Sequence, residues 1–184
     1  VPYRVICGER MNHPNVVYRI PKGKYDAMNF SLSLIPSDVD IVAFNDVDTS
    51  VHNLHVAFRY FADKAVAMVF GTEVVKEGPQ NLFYRILNPI RKVIPIASTG
   101  ELMFIRREVL ERILPLKPCK AEDTYVLFKV LESGYRTVFC EQCVAETERT
   151  KTARKEELYK RRTVAGIYQA LAYTRPPHII RVFY

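Results

Sequence analysis

The stretch Val39, Ile41, Val42, Ala43, Phe44 constrains the fold more than any other. It is nearly continuous in apolar side chains, with Pro36-Ser37 before it and Asn45-Asp46-Val47-Asp48 after it. A run this short suits a β-strand and falls far below the roughly 18 to 20 residues of a membrane span. Unbroken rather than alternating apolarity is the pattern of a strand covered on both faces, so helices are expected above and below it. The remaining sequence supplies them. Strand-like runs are expected over Tyr3–Cys7, Asn15–Ile20, Ala65–Val75, Leu102–Ile105 and Arg136–Cys140. Helical spacing is read over Lys24–Ile35, with Ala27, Met28, Leu32 and Ile35 on one side, and over Val51–Phe61 with Thr49 or Ser50 as cap. It continues over Gln80–Ile94 (interrupted by Pro89), Arg107–Leu114, Glu122–Ser133 closed by Gly134, and Lys155–Tyr173 stopped by Pro176-Pro177. Such alternation argues an α/β layered domain, and 184 residues suffice for one core.

Charge is unevenly placed. The last 34 residues carry eight basic side chains against two acidic, whereas the preceding 150 hold 19 against 18. The body is therefore close to neutral and the C-terminal segment basic, suited to phosphate or an anionic membrane face. The tail His178–Tyr184 alternates apolar and basic residues, a pattern that can lie on a membrane surface. Cys140 and Cys143 form a Cys-x-x-Cys with no second pair at zinc spacing. They lie in a strand-like run, so buried reduced thiols are expected, and with them a cytoplasmic setting.

Three features carry chemistry. Asp46 and Asp48 stand at the C-terminal end of the apolar strand, where ligands of open α/β sheets bind. Paired carboxylates there offer hard oxygen donors to Mg2+ or Mn2+, ions that bridge to a substrate's phosphates. Glu122-Asp123 enters a helix after a Pro-rich loop, and one of the two could take a proton from an attacking hydroxyl. Arg161-Arg162 on the long helix, with Gly166 further along, could pin a diphosphate, and Lys22-Gly23-Lys24 is a second cationic turn. Each has a plainer reading as turn, cap or solvated helix face. Taken together, they suit displacement of a nucleoside diphosphate leaving group.

The order and spacing of these segments resemble the inverting family 2 glycosyltransferases, the group that includes cellulose, chitin and hyaluronan synthases. Lys22-Gly23-Lys24-Tyr25-Asp26-Ala27-Met28-Asn29 resembles the family's GK-x-x-A-L-N segment, and Asp46-Val47-Asp48 its D-x-D. Ser98-Thr99-Gly100 with Ile105-Arg106-Arg107-Glu108 resembles the segment beside the acceptor. Glu122-Asp123 resembles the E-D, and Glu132-Ser133-Gly134-Tyr135-Arg136 the G-Y-R that follows it. Arg161-Arg162-Thr163-Val164-Ala165-Gly166-Ile167-Tyr168-Gln169 resembles the R-R-W-x-x-G-x-x-Q helix.

The resemblance implies a GT-A (Rossmann-like) three-layer domain with a mostly parallel central sheet. It divides the chain into a catalytic core, 1–150, and a basic C-terminal helix and tail, 151–184, completing the active site. It implies transfer of a sugar, with inversion, from a nucleoside diphosphate sugar, a UDP-sugar first, to an acceptor hydroxyl. Asp46 and Asp48 would hold Mn2+ or Mg2+, Asp123 would be the general base, and Lys22, Lys24, Arg161 and Arg162 would face the diphosphate. Ser98, Thr99, Gly100 and Glu122 would border the acceptor.

Two departures sharpen this. Where the polymerising members carry Q-x-x-R-W, Tyr159 stands at the Gln and Thr163 at the Trp, which favours a non-processive enzyme with a lipid-linked or saccharide acceptor. The family's first strand has no counterpart here, so the sheet is expected to be incomplete at its N-terminal side, with upstream residues supplying the rest. Localisation at the cytoplasmic side of a membrane, or in the cytoplasm, follows as an expectation, with no nucleic-acid partner. Rival readings are a catalytically impaired family member, or a basic module binding nucleic acid or lipid. A nucleotidyltransferase would carry a Gly-rich phosphate loop near the start of the chain, and none is visible.

Overall fold

The computed structural model describes residues 2–75, 80–148 and 153–184. Five strands form the main sheet: β3 (Ile41–Asn45), β4 (Thr49–His52), β5 (Val66–Val75), β6 (Leu102–Arg106) and β7 (Arg136–Thr147), in the order β3-β6-β5-β7-β4. Two shorter strands, β1 (Val5–Cys7) and β2 (Val16–Tyr18), pair in parallel as a separate sheet. The helices are α1 (Lys24–Ser31, followed by a 3-10 turn at Leu32–Leu34), α2 (His55–Tyr60), α3 (Gln80–Val93), α4 (Arg107–Ile113), α5 (Glu122–Glu132), α6 (Ala153–Tyr173) and α7 (His178–Phe183).

The expected α/β layering holds. Side chains of β6 alternate between two cores, as the two-residue repeat of a strand requires. Leu102 and Phe104 pack with Val56, Ala57 and Phe61 around α2, while Met103 and Ile105 pack with α4, α5 and α1. Phe70, Phe128, Tyr125 and Leu127 fill the larger of these cores. A sheet covered on both faces explains why β5 begins with a fully buried run from Val66 to Gly71.

Several expectations are corrected. The sheet is mixed rather than mostly parallel: β5–β7 is its one parallel neighbour pair, and β3–β6, β5–β6 and β4–β7 are antiparallel. The strand after Val39 is not covered on both sides. It is β3, an edge of the sheet, and its residues are half-buried or exposed. The helix expected over Val51–Phe61 splits into β4 and the six-residue α2, with Asn53 between them at φ 57°, a left-handed value that ends the strand. β-branched Thr49 and Val51 pair with β7, and cross-strand packing outweighs the helical spacing. β7 runs on to Thr147 instead of stopping at Cys140, and the tail becomes α7. Gly134 does close α5 with φ 81°, and Pro89 does lie inside α3. The expected boundary at 150/151 lies outside the described residues.

β3 and β4 are the two edges of the sheet, yet Asp46, Val47 and Asp48 alone join them. The sheet must therefore curl. β7 makes this turn through a break in register, Cys140 pairing with Gly71 and Val144 with Thr72. Only glycine fits at 71, since a Cβ there would stand 2.6 Å from the Cys143 carbonyl oxygen. Cys140 and Cys143 are fully buried free thiols, the Cys140 S–H donating to Cys143 Sγ at 2.8 Å, as expected of buried reduced cysteines.

Candidate active site

Strand register assembles the site. β3 pairs with β6 so that Asn45 faces Leu102, and the Asp46 N–H donates to the Glu101 carbonyl at 3.4 Å. The end of one strand thus meets the turn that begins the next. Lys24, in the first turn of α1, spans the junction. Its Nζ donates to the Gly100 carbonyl at 3.0 Å and lies 2.5 Å from Asp46 Oδ1 and 3.7 Å from Glu122 Oε1. Burial alone would lower this ammonium, but Asp46, helped by Glu122 and Asp123, holds it above its ordinary value.

Glu122 and Asp123 form the first turn of α5, whose N-cap, Ala121, has no side chain to offer. The backbone N–H groups of that turn pull both carboxyls downward, that of Glu122 on Glu122 and that of Thr124 on Asp123. Burial nevertheless prevails. It pushes Glu122 up to about 7, with the neighbouring charge of Asp123 adding to the effect and Lys24 opposing it. Asp123 is raised by the same cause, against the pull of Lys24, the Thr124 N–H and Arg91. Gly100 leaves room for it, because a Cβ at 100 would come within 3.3 Å of Asp123 Oδ2.

The C-terminal helix sets where this turn sits. A Cβ on Gly166 would stand 2.7 Å from that of Ala121 and would strike the Ala121 backbone nitrogen. The Gln169 amide oxygen accepts the Lys120 N–H at 3.1 Å, and the Cys119 thiol donates to the Gly166 carbonyl at 3.3 Å. The glycine and the glutamine of α6 therefore hold the entry to α5. The two arginines point elsewhere. Arg161 pairs with Glu157 one turn back at 2.7 Å, and Arg162 lies 5.2 Å from the Tyr159 ring. Among the described residues neither pairs with Asp46, Asp48, Glu122 or Asp123.

Asp48 is also apart. The pairing of Thr49 with Thr147 and Ser50 with Glu146 turns it toward the other edge, where it lines a depression with Ser50, Glu146 and Glu148. Lys22 is exposed, Ser98 and Thr99 are buried, and the Thr99 hydroxyl donates to the Gly71 carbonyl at 2.6 Å. Of the residues picked out in sequence, Lys24, Asp46, Gly100, Glu122 and Asp123 come together. His52, inside the span 51–61 that was expected to be helical, stands on β4 at 3.6 Å from Glu146. Sequence reading missed Arg91, buried on α3. Its spacing from Tyr84 and Leu87, on the apolar side of that helix, was the available signal.

No three metal-binding side chains gather among the described residues. The donor chemistry still fits Mg2+ or Mn2+, because these ions take one or two carboxylates and leave the rest of the shell to phosphate oxygens and water. Asp46 and Asp48 are the two carboxylates of the 46–48 connection, Asp46 beside Lys24 and Asp48 on the depression with Glu146 and Glu148, and either could supply such an oxygen donor.

No protein-family profile matches the chain, and no curated protein does. Solved structures do. A mannosyltransferase from Pyrobaculum calidifontis, PcManGT, determined with GDP-mannose and Mn2+, superposes with a TM-score of 0.68 at 21% identity. The match covers 88% of this chain and 48% of that one, so the chain spans about half of its length. Mannosyl-3-phosphoglycerate synthase from Rubrobacter xylanophilus gives 0.49 at 19% identity over 81% of this chain and 51% of that one. The chain is similar to PcManGT in architecture, and its fold is a Rossmann-like α/β domain of the GT-A type.

Proposed function

We propose that the chain is the catalytic domain of a family 2 type glycosyltransferase that moves a sugar from a nucleoside diphosphate sugar to an acceptor hydroxyl with inversion. The observation that carries this reading is the convergence of Lys24, Asp46, Gly100, Glu122 and Asp123 where β3 ends and α5 begins. Asp123 takes the acceptor's proton as its oxygen bonds to the anomeric carbon, and the bond from that carbon to the diphosphate breaks on the opposite face. Burial makes Asp123 a stronger base than an exposed aspartate. Lys24 stands where negative charge of the departing diphosphate gathers, beside Asp46. Asp46 and Asp48 would hold Mn2+ or Mg2+, which when bound neutralises diphosphate charge.

Among the described residues no helix is long and apolar enough to cross a membrane. The basic α6, with Arg161 and Arg162 facing outward, suits an anionic membrane surface at the cytoplasmic side and a lipid-linked acceptor, a saccharide acceptor being the other choice. Tyr159 and Thr163 in place of the polymerases' Gln and Trp favour single-sugar transfer. The outward arginines also favour a second reading, a basic anion-binding module without turnover. Its affinity would fall steeply with salt and be indifferent to D48N. Thermal unfolding with UDP, GDP and Mn2+, singly and in pairs, tests the donor site. Saturating nucleotide at about 100 times its Kd adds about 2.7 kcal/mol. A shift that requires nucleotide and metal together, and disappears in D48A, supports the transferase. Donor-sugar turnover by the wild-type chain then separates it from an impaired relative.

A further inference from the structure

Arg91 is only 6% exposed, although it carries a full charge and belongs to none of the segments that drew attention in sequence. Its Nη2 donates to the Ser98 carbonyl at 3.1 Å, its Nη1 reaches Asn88 Oδ1 at 3.5 Å, and its guanidinium lies 5.8 Å from the Tyr84 ring. Its Nε has no partner among the described residues. None of these neighbours is anionic, and a buried guanidinium is costly unless a negative charge faces it. Two residues beyond Ser98 stands Gly100, against which Asp123 packs and whose carbonyl accepts Lys24. The turn 98–100 is thus held by two cations, one on each of its end carbonyls.

We infer that Arg91 is a positioning residue for Asp123: it fixes the 98–100 turn from the α3 side and, with Lys24, places positive charge beside the carboxyl packed on that turn. The inference deepens, and rests on, the reading of Asp123 as the base. The charges and titratable groups around Asp123 are Lys24 on α1, Glu73 on β5, Arg91 on α3, Glu122 beside it, Cys119 before α5 and Tyr184 at the end of the tail. Lys24 and Arg91 are the cations of this set. Removing Arg91 leaves the carboxyl facing Glu73 and Glu122 with less compensation, so its proton is held to higher pH.

The test is a carbon-13 NMR titration of the Asp123 carboxyl in the full chain, with D123N identifying the signal, run beside the pH profile of sugar transfer. In R91M the signal titrates at higher pH than in wild type. On the acid side of the profile the variant's transfer rate falls away at higher pH than wild type's, with donor KM unchanged. R91K, which keeps the charge, titrates close to wild type, an outcome that a purely structural role for Arg91 would not produce. R91Q keeps amide donors for the Ser98 carbonyl without charge and stands in if R91M does not fold. An Asp123 titration in R91M or R91Q that coincides with wild type overturns the inference. A shifted titration together with normal transfer by D123N keeps Arg91 as the partner of Asp123 and removes the base reading instead.

Discussion

Two pairs of neighbouring carboxylates are alike on paper and opposite in the fold. Asp46 and Asp48 flank a turn that joins the two edges of a curled sheet, so one faces Lys24 and the other faces Glu146 and Glu148 across the depression. Glu122 and Asp123 open a helix beneath the loop that Gly166 and Gln169 pin, and both are half-buried in one corner. The first pair is open and adaptable, as carboxylates awaiting a cation and a diphosphate should be. The second is desolvated, and its proton affinity is set before any ligand arrives. Solvent access, not residue type, separates a candidate ligand from a candidate base.

The contrast can be broken by substitution, and the largest effect belongs to the second pair. D123N is expected to lower sugar transfer by about 10²- to 10⁴-fold with the fold retained, since the amide cannot take the acceptor's proton; steady-state rates with circular dichroism check it. G166V should cost about 1–3 kcal/mol, a fall in Tm of about 3–10 °C, because its side chain meets the Ala121 backbone. Calorimetry reads this directly, and transfer should fall with it as the start of α5 is displaced.

A third expectation concerns pH. The folded-state Glu122 value, about 7, lies above that of an ordinary glutamate, so the folded chain holds a proton that the unfolded chain releases. The associated stability is full below about pH 4.5 and is lost as pH rises toward about 7. Unfolding free energy should fall by about 1–3 kcal/mol across that window, with Asp123 acting in the same direction, and E122Q should flatten the slope. A slope unchanged in E122Q would place the proton elsewhere. The smallest effect is expected at the open end of α6. R161A removes an exposed pair with Glu157 and should leave Tm unchanged, while weakening retention on anionic vesicles in low salt.

The run from Arg161 to Gln169 illustrates how far sequence reading reached. It named Gly166 along with the arginine pair, and the glycine does abut Ala121. It assigned Arg161 and Arg162 to the diphosphate, yet their contacts are with Glu157 and Tyr159 on their own helix. Steric demand for glycine is a local property that survives into the fold. The destination of a long charged side chain is not, because four rotatable bonds and solvent leave it many partners. The split of 51–61 into strand and helix belongs to the same lesson. Helical spacing was present, but Thr49 and Val51 found a partner strand almost a hundred residues away.

By itself the sequence determined the alternation of apolar segments, the helix stops at Gly134 and Pro176, the reduced and buried thiols, and the list of carboxylates and cations from which a site could be built. These follow from periodicity and backbone chemistry, which act over a few residues. Only the tertiary structure decided the mixed strand order, the exposed edge at β3, the divergence of Asp46 from Asp48, and the burial of Arg91 next to the turn that carries Gly100. Each of these depends on register between strands far apart in the chain, and a shift of one residue in that register would turn every side chain to the other face.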